Sequence, residues 1–233
     1  MRTSKLFVSV IAILFLLTAS LFAQTDSVNY KSQVQFHLVN GYSLSYLNSL
    51  SNSSALRYKL DFNLSVGKEN SDGTHSSSSG NSSYLNSTSG TDENSSQMLN
   101  FTVQYLWYLV NELSVRVFLG AGPFILLNRN FWSGSNDQTQ NDGSKYYNSA
   151  ETLQYSLGIG LGGVAAVECF VTRRISLIGE YGILGNYSWG KQKYSNKYKA
   201  SPNQPVSEYT NESNTNGWNL GLGNLRLGIA FRF

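Results

Sequence analysis

Apolar and polar residues alternate one by one between residues 56 and 66. The even positions are Leu56, Tyr58, Leu60, Phe62, Leu64 and Val66, and the odd positions are Arg57, Lys59, Asp61, Asn63 and Ser65. Successive side chains of a β-strand point to opposite faces, whereas a helix would scatter these residues around its axis. The pattern therefore predicts a strand with one apolar face and one polar face.

The same alternation recurs along the chain, with apolar rows at 99–109, 113–121, 153–167, 175–187 and 225–233. In the last of these the parity shifts upstream, to Leu220 and Leu222, which predicts a bulge near Gly223 and Asn224. Two shorter strands at 33–39 and 42–49 are joined by Asn40-Gly41, a strong hairpin signal. Together these segments predict an all-β chain of eight antiparallel strands; one long strand over 33–49 would give seven, which a barrel with both ends on one side disfavours.

The connections between the predicted strands alternate in length. Residues 51–54, 111–112 and 172–174 are short breaks, whereas 67–97, 128–150 and 190–216 are long and polar. The first long stretch is nearly all Ser, Asn, Gly, Thr and Asp, so we expect these stretches to be mobile loops. Short turns at one end and long loops at the other are typical of an outer-membrane β-barrel, in which the long loops are extracellular.

A soluble, lipocalin-like barrel would also alternate, but with its apolar face inward. The polar rows favour a membrane barrel, because an eight-stranded lumen is just wide enough to be filled by side chains. We expect a lumen charge network of Arg57, Asp61, Arg116, Glu168, Glu180, Arg226 and Arg232, in which Glu180 pairs with Arg226 or Arg116. Aromatic girdles are expected from Trp132, Trp189 and Trp218 at the outer end and from Trp107, Phe170 and Phe231 at the other.

The last residues read Leu-Arg-Leu-Gly-Ile-Ala-Phe-Arg-Phe, from Leu225 to Phe233. This ending resembles the C-terminal strand of bacterial outer-membrane proteins, in which such a pattern is the signal read by the barrel-assembly machinery. Phe231 and Phe233 would carry that signal here. Gly120-Ala-Gly-Pro-Phe124 and residues 175–182 are also similar to segments of the OmpX/OmpA-type outer-membrane β-barrel families. The resemblance implies an outer-membrane location in a Gram-negative cell.

The N-terminus has the layout of a secretory signal. Arg2 and Lys5 precede an apolar run over 6–22, and Ala23 precedes a polar stretch. We expect residues 1–23 to be a cleaved signal peptide, with cleavage after Ser20 as the alternative, and 24–233 to be the barrel. An uncleaved anchor is the other interpretation of the run. Removing the signal leaves the chain nearly neutral, so its basic pI is no argument for nucleic acid.

Chemistry is sparse in this sequence. Cys169 is the single cysteine, and the two histidines, His37 and His75, lack a cluster of metal-ligating partners, so no metal and no cofactor is expected. We expect a structural or surface-interaction protein, with a narrow channel as the alternative, and a lipid-modifying enzyme third. Lys191, Lys193, Lys197 and Lys199 are interleaved with tyrosines and are candidate contacts for lipopolysaccharide phosphates. We expect a monomer in outer-membrane lipid.

Overall fold

The computed structural model describes residues 31–79, 82–112, 114–139, 145–199 and 204–233. The predicted signal peptide at 1–23 lies outside them. The described chain forms one antiparallel sheet of nine strands: β1 (Ser32–Val39), β2 (Tyr42–Ser51), β3 (Ser54–Ser79), β4 (Ser82–Asn111), β5 (Val115–Thr139), β6 (Lys145–Phe170), β7 (Ile175–Lys199), β8 (Ser207–Leu222) and β9 (Arg226–Arg232). The all-β prediction is confirmed.

The sheet closes on itself as a ring of eight strand positions. Neighbouring strands pair in sequence from β1 to β7, β7 pairs with β9 near its start and with β8 further along, and β9 returns to β1. β8 and β9 therefore act as one interrupted strand, broken at residues 223–225 where the sequence predicts a bulge. The fold is an eight-stranded antiparallel up-and-down barrel.

The first hairpin turns at Asn40 and Gly41, as the sequence predicts. Both residues have positive backbone φ angles, 61° and 136° respectively, and two-residue hairpin turns with that geometry match the right-handed twist of the strands they join. Asn40 Nδ2 also donates a hydrogen bond to the Leu225 carbonyl at 2.7 Å, which ties this turn to the break between β8 and β9. The hairpin of β1 and β2 supplies two of the eight strand positions of the ring.

The three long polar stretches predicted as loops are largely strands. β3 and β4 remain paired from the Ser54–Trp107 pair up to the Ser79–Ser82 pair, and β5 to β8 continue beside them. Backbone ladders need no apolar side chains, so serine- and asparagine-rich segments can extend a hairpin that an apolar strand has started. The result is an open sheet of six strands, here named the extension, which continues β3 to β8 beyond the closed barrel.

β1 and β2 end below the extension, with Tyr42 paired to Phe62. Within the described part of the chain, β3 beyond that pair retains only β4 as a neighbour, and β8 retains only β7. The wall is consequently closed around all eight positions only between the short turns and the level of Tyr42. This lower part is named the closed barrel.

The two faces of the closed barrel have opposite polarity. The interior holds buried polar side chains such as Gln35, Asn100 and Thr102, while Leu109 and Leu161 on the exterior are 63% and 70% exposed. An exterior of this kind suits hydrocarbon, and a filled polar interior is the arrangement expected of small membrane barrels. Among the described residues, no helix is long and apolar enough to cross a membrane.

Candidate functional site: a filled lumen and an exposed extension

Glu180 lies at the centre of a buried charge cluster inside the barrel. The parity of β7 turns its side chain inward, where the Arg57 guanidinium donates a hydrogen bond to Glu180 Oε2 at 2.7 Å. Lys59 Nζ binds the other carboxylate oxygen, and His37 Nε2 lies 3.5 Å from Oε2. Each of these four side chains is almost completely shielded from solvent. A buried carboxylate needs such partners because an isolated buried charge is strongly unfavourable.

The predicted partners of Glu180 were wrong. Arg226 is opposite Glu180 in the strand register, but its guanidinium binds Asp61, which also accepts a hydrogen bond from Asn100 Nδ2 at 3.1 Å. Arg116 pairs elsewhere, with Glu168. Lys59, which the predicted network omits, pairs with Glu180 instead, because it projects into the lumen from the same strand as Arg57 and Asp61. The parity of β3 already indicated an inward Lys59.

A second cluster surrounds Glu168 near the end with the short turns. Gln33 Nε2 and Ser176 Oγ each donate a hydrogen bond to Glu168 Oε1 at 2.5 Å. Arg116 Nη1 lies 3.5 Å from Oε2, and Arg232 Nη2 lies 3.7 Å from Oε1. The predicted network residues therefore occur as two separate groups, one around Glu180 and Asp61 and one around Glu168.

Apolar side chains fill the interior between the two clusters. Phe118 packs edge-on to Tyr108 with ring centroids 5.9 Å apart, and Arg57 lies over the Phe118 ring while Arg116 lies over the Tyr108 ring. The buried group also includes Leu47, Leu106, Val164, Ala166 and Ile178. Beside the Glu180 cluster a cavity of ≈ 50 Å³ remains, which accommodates a few water molecules. The sequence interpretation missed this apolar layer, although strand parity places Leu106 and Ile178 inward.

The four candidate lysines occupy one row on the outer face of β7. Lys191, Lys193, Lys197 and Lys199 follow Tyr187 and Trp189 along the same face, so the row changes from aromatic to cationic after Trp189. Lys191 Nζ pairs with Glu212 Oε2 at 2.7 Å, and this hydrogen bond lowers the pKa of the Glu212 carboxyl. Lys197 Nζ lies 3.9 Å from Glu208 Oε1. Carboxylates on β8 thus offset part of the row's charge.

Arg129 adds to this cationic surface from a neighbouring strand. The register places Arg129 beside Tyr155, and Tyr155 beside Lys191, on adjacent strands β5, β6 and β7. The Arg129 guanidinium carbon lies 5.9 Å from the centre of the Tyr155 ring. The row below consists of Leu127, Leu157 and Trp189. Arg129 and Lys191 therefore mark the upper boundary of the apolar exterior.

Two of the predicted girdle aromatics face inward. Phe170 is 6% exposed and lies inside the barrel, with the Arg232 guanidinium carbon 3.4 Å from its ring centre. Trp132 occupies an inner row of the extension. Trp107, Trp189, Trp218 and Phe231 do face outward. Leu127 on β5 and Cys169 on β6 belong to outward rows. Trp132 and Phe170 are each an odd number of residues away from them, so strand parity predicts that both point inward.

The remaining candidate residues have structural surroundings. His37 is fully buried, and its Nδ1 lies 2.8 Å from Ser43 Oγ; the side chain of His75 lies outside the described residues. Cys169 is a partly buried free thiol. Phe231 and Phe233 lie on the exterior, and their role as an assembly signal stays a prediction. Within the described part of the chain, no three His, Cys, Asp or Glu side chains are grouped so that they could hold a metal ion.

A closed antiparallel barrel with paired charges inside and apolar side chains outside is the fold of the outer-membrane β-barrel class. No protein-family model matches the sequence, and no curated protein matches it. Among solved structures, the chain is similar to CarO of Acinetobacter baumannii, at 9% identity and a TM-score of 0.39, over 90% of this chain and 100% of that one. It is also similar to a major outer membrane protein of Thermus thermophilus, at 18% identity and a TM-score of 0.35, over 88% of this chain and 100% of that one.

Proposed function

We propose that this chain is an integral protein of the bacterial outer membrane whose closed barrel is an anchor and whose extension interacts with molecules outside the cell. The filled lumen is the observation that carries the proposal. The Glu180 cluster, the apolar layer around Phe118 and the Glu168 cluster follow one another through the barrel. A solute crossing the barrel would have to separate buried ion pairs, which is energetically unfavourable.

The unequal length of the connections at the two ends of the barrel indicates its orientation in the membrane. Turns at one end are short, and the extension at the other end is long and polar, as expected when the short turns face the periplasm. An enzyme interpretation would require His37 or His75 to act in the reaction, and the described His37 side chain is buried with its ring hydrogen-bonded to Ser43. We accordingly propose a binding role in place of catalysis.

Planar-bilayer conductance of the refolded protein tests the anchor role, after heat-modifiable migration in detergent has shown that the barrel is folded. We expect heat-modifiable migration and no steady conductance. Reproducible single-channel steps would show that the lumen opens and would make the narrow channel the leading function. Folding in buffer without detergent would contradict the membrane location.

We also propose that lipopolysaccharide phosphates contact the cationic surface formed by Arg129, Lys191, Lys193, Lys197 and Lys199. Clustered cations attract phosphates, and this surface lies directly above the apolar exterior. Two paired variants separate the near and far parts of the row: Lys191→Gln with Lys193→Gln, and Lys197→Gln with Lys199→Gln. The thermal stabilisation that each retains on adding lipopolysaccharide is compared at low and high salt.

The variant that lacks Lys191 and Lys193 is expected to lose more of the salt-sensitive stabilisation than the variant that lacks Lys197 and Lys199. Lys191 and Lys193 lie closer to the row of Leu157 and Trp189, where headgroup phosphates would lie. Equal, salt-insensitive stabilisation of both variants and the parent protein would remove lipopolysaccharide from the proposed partners.

A further inference from the structure

The inner face of the extension carries an open groove of ≈ 430 Å³ that neither the lumen network nor the lysine row uses. Its lining includes Asp92 on β4, Trp132, Gly134 and Asn136 on β5, and Asn148 on β6. Asp92 is opposite Gly134 in the register, and Asn136 is opposite Asn148. Three adjacent strands therefore bring a carboxylate, an indole and two amides to one surface.

Gly134 allows the indole and the carboxylate to lie side by side. A Cβ atom at this position would be 2.8 Å from Trp132 Cζ2 and 2.6 Å from Asp92 Oδ1, so both groups occupy the space above the glycine. The Trp132 ring therefore extends over Gly134, and the residue remains 41% exposed. An open aromatic surface beside a carboxylate is thus presented to the groove.

The two faces of the extension differ in charge. The described side chains on the inner rows of the extension include Glu69 and Asp92 but no lysine or arginine, whereas the four lysines of β7 project from the outer face. Glu93, next to Asp92 in sequence, also projects outward and pairs with Lys68 at 2.6 Å. The inner face consequently attracts positive charge.

We propose that this groove binds an organic cation, an alkylammonium or guanidinium group held over the Trp132 indole and beside the Asp92 carboxylate. The negative face of an indole attracts a cation placed within about 6 Å of its centre. The Asp92 carboxylate supplies the countercharge, and the amides of Asn136 and Asn148 supply hydrogen-bonding groups for the rest of the ligand. The inference rests on the proposed function, because it requires the extension to face the outside of the cell.

Indole N–H resonances of the folded protein in detergent micelles provide the test. The sequence contains 4 tryptophans, and a Trp132→Phe variant assigns the resonance of Trp132. The probes are choline and its uncharged isostere 3,3-dimethyl-1-butanol, titrated separately. We expect choline to give a saturable shift of the Trp132 resonance and the isostere to give none.

Asp92→Asn and Glu93→Gln are matched variants, since each removes one carboxylate charge from the same strand but on opposite faces. We expect Asp92→Asn to weaken choline binding roughly two- to fivefold and Glu93→Gln to leave it unchanged. Equal effects of the two variants, a shift with the isostere equal to that with choline, or a Trp132 shift with a neutral maltooligosaccharide but none with choline would each overturn the proposal. Heat-modifiable migration and conductance of the same samples report separately on the proposed anchor.

Discussion

The closed barrel and the extension share strands β3 to β7 but are organised by different forces. In the closed barrel, alternation separates buried charges from an apolar exterior, and side chains such as Arg57 and Glu168 are inaccessible to solvent. Over most of the extension both faces are polar, and its ion pairs are exposed, as between Lys68 and Glu93. The backbone ladder runs through both regions, so the same secondary structure is stabilised mainly by its side chains in the closed barrel and mainly by its hydrogen bonds in the extension.

The largest difference in stability between the two regions is expected when a paired carboxylate is removed from each. Glu180→Ala leaves Arg57 and Lys59 buried without their shared partner, and we expect a loss of about 3–5 kcal/mol in the free energy of unfolding. Glu93→Ala removes an exposed pair and should cost about 0–1 kcal/mol. Urea unfolding in lipid vesicles measures both. If Glu180→Ala fails to fold, Glu180→Gln retains the side-chain volume and can be measured in its place. Similar losses of stability at Glu180 and Glu93 would contradict the difference expected between the two regions.

A cation introduced on the exterior should destabilise the closed barrel much more than the extension, by nearly as large a difference. Leu161 faces outward on the closed barrel and is 70% exposed, so Leu161→Arg places a charge in hydrocarbon if this exterior is embedded. We expect a loss of roughly 2–4 kcal/mol near the bilayer midplane. Ser135→Arg, on the outer row of the extension, should change stability by no more than about 0.5 kcal/mol. Equal unfolding midpoints in vesicles would argue against a membrane boundary between these positions.

Glycine packing provides a smaller contrast. A Cβ on Gly122 would overlap the Val103 carbonyl of the neighbouring strand, whereas a Cβ on Gly217 would meet no atom of the described residues within 4 Å. Gly122→Ala should therefore cost about 1–3 kcal/mol through overpacking. Gly217→Ala should be neutral or stabilising by up to about 1 kcal/mol, because alanine restricts the unfolded chain. Chemical unfolding of the pair decides whether strand contact is tighter in the closed barrel.

The same contrast explains what the sequence could predict. Alternation specified the closed barrel and the break after Leu222, because burial forces a period of two on the residues, and the Asn40-Gly41 pair specified the first turn. No such constraint applies to serine- and asparagine-rich segments, so the strands of the extension left no hydropathy pattern and were predicted as loops. Parity still holds there: it predicts the inward direction of Trp132, which the girdle interpretation overlooked.

Ion-pair partners were harder to predict than directions. Parity placed Glu180, Arg57 and Arg226 in the lumen, but pairing depends on how far each side chain reaches across the interior and on which acceptor is nearer. Arg226 is bound by Asp61, and Lys59 takes the position beside Glu180. Long, flexible cationic side chains make several such assignments compatible with one strand register. Only the three-dimensional structure distinguishes the two clusters.

The smallest effect is expected from removing part of the extension itself. Lys68 and Glu93 are register partners, so deleting 69–92 and inserting Asn-Gly creates a two-residue hairpin at their level. The deleted segment does not belong to the closed barrel, and the Asn-Gly turn closes the shortened β3–β4 hairpin in the same register. The variant should retain heat-modifiable migration and a nearly unchanged unfolding midpoint while losing Asp92 and its choline response. A variant that no longer folds would show that the extension stabilises the barrel, and one that folds yet still shifts its Trp132 resonance with choline would move the cation site away from Asp92.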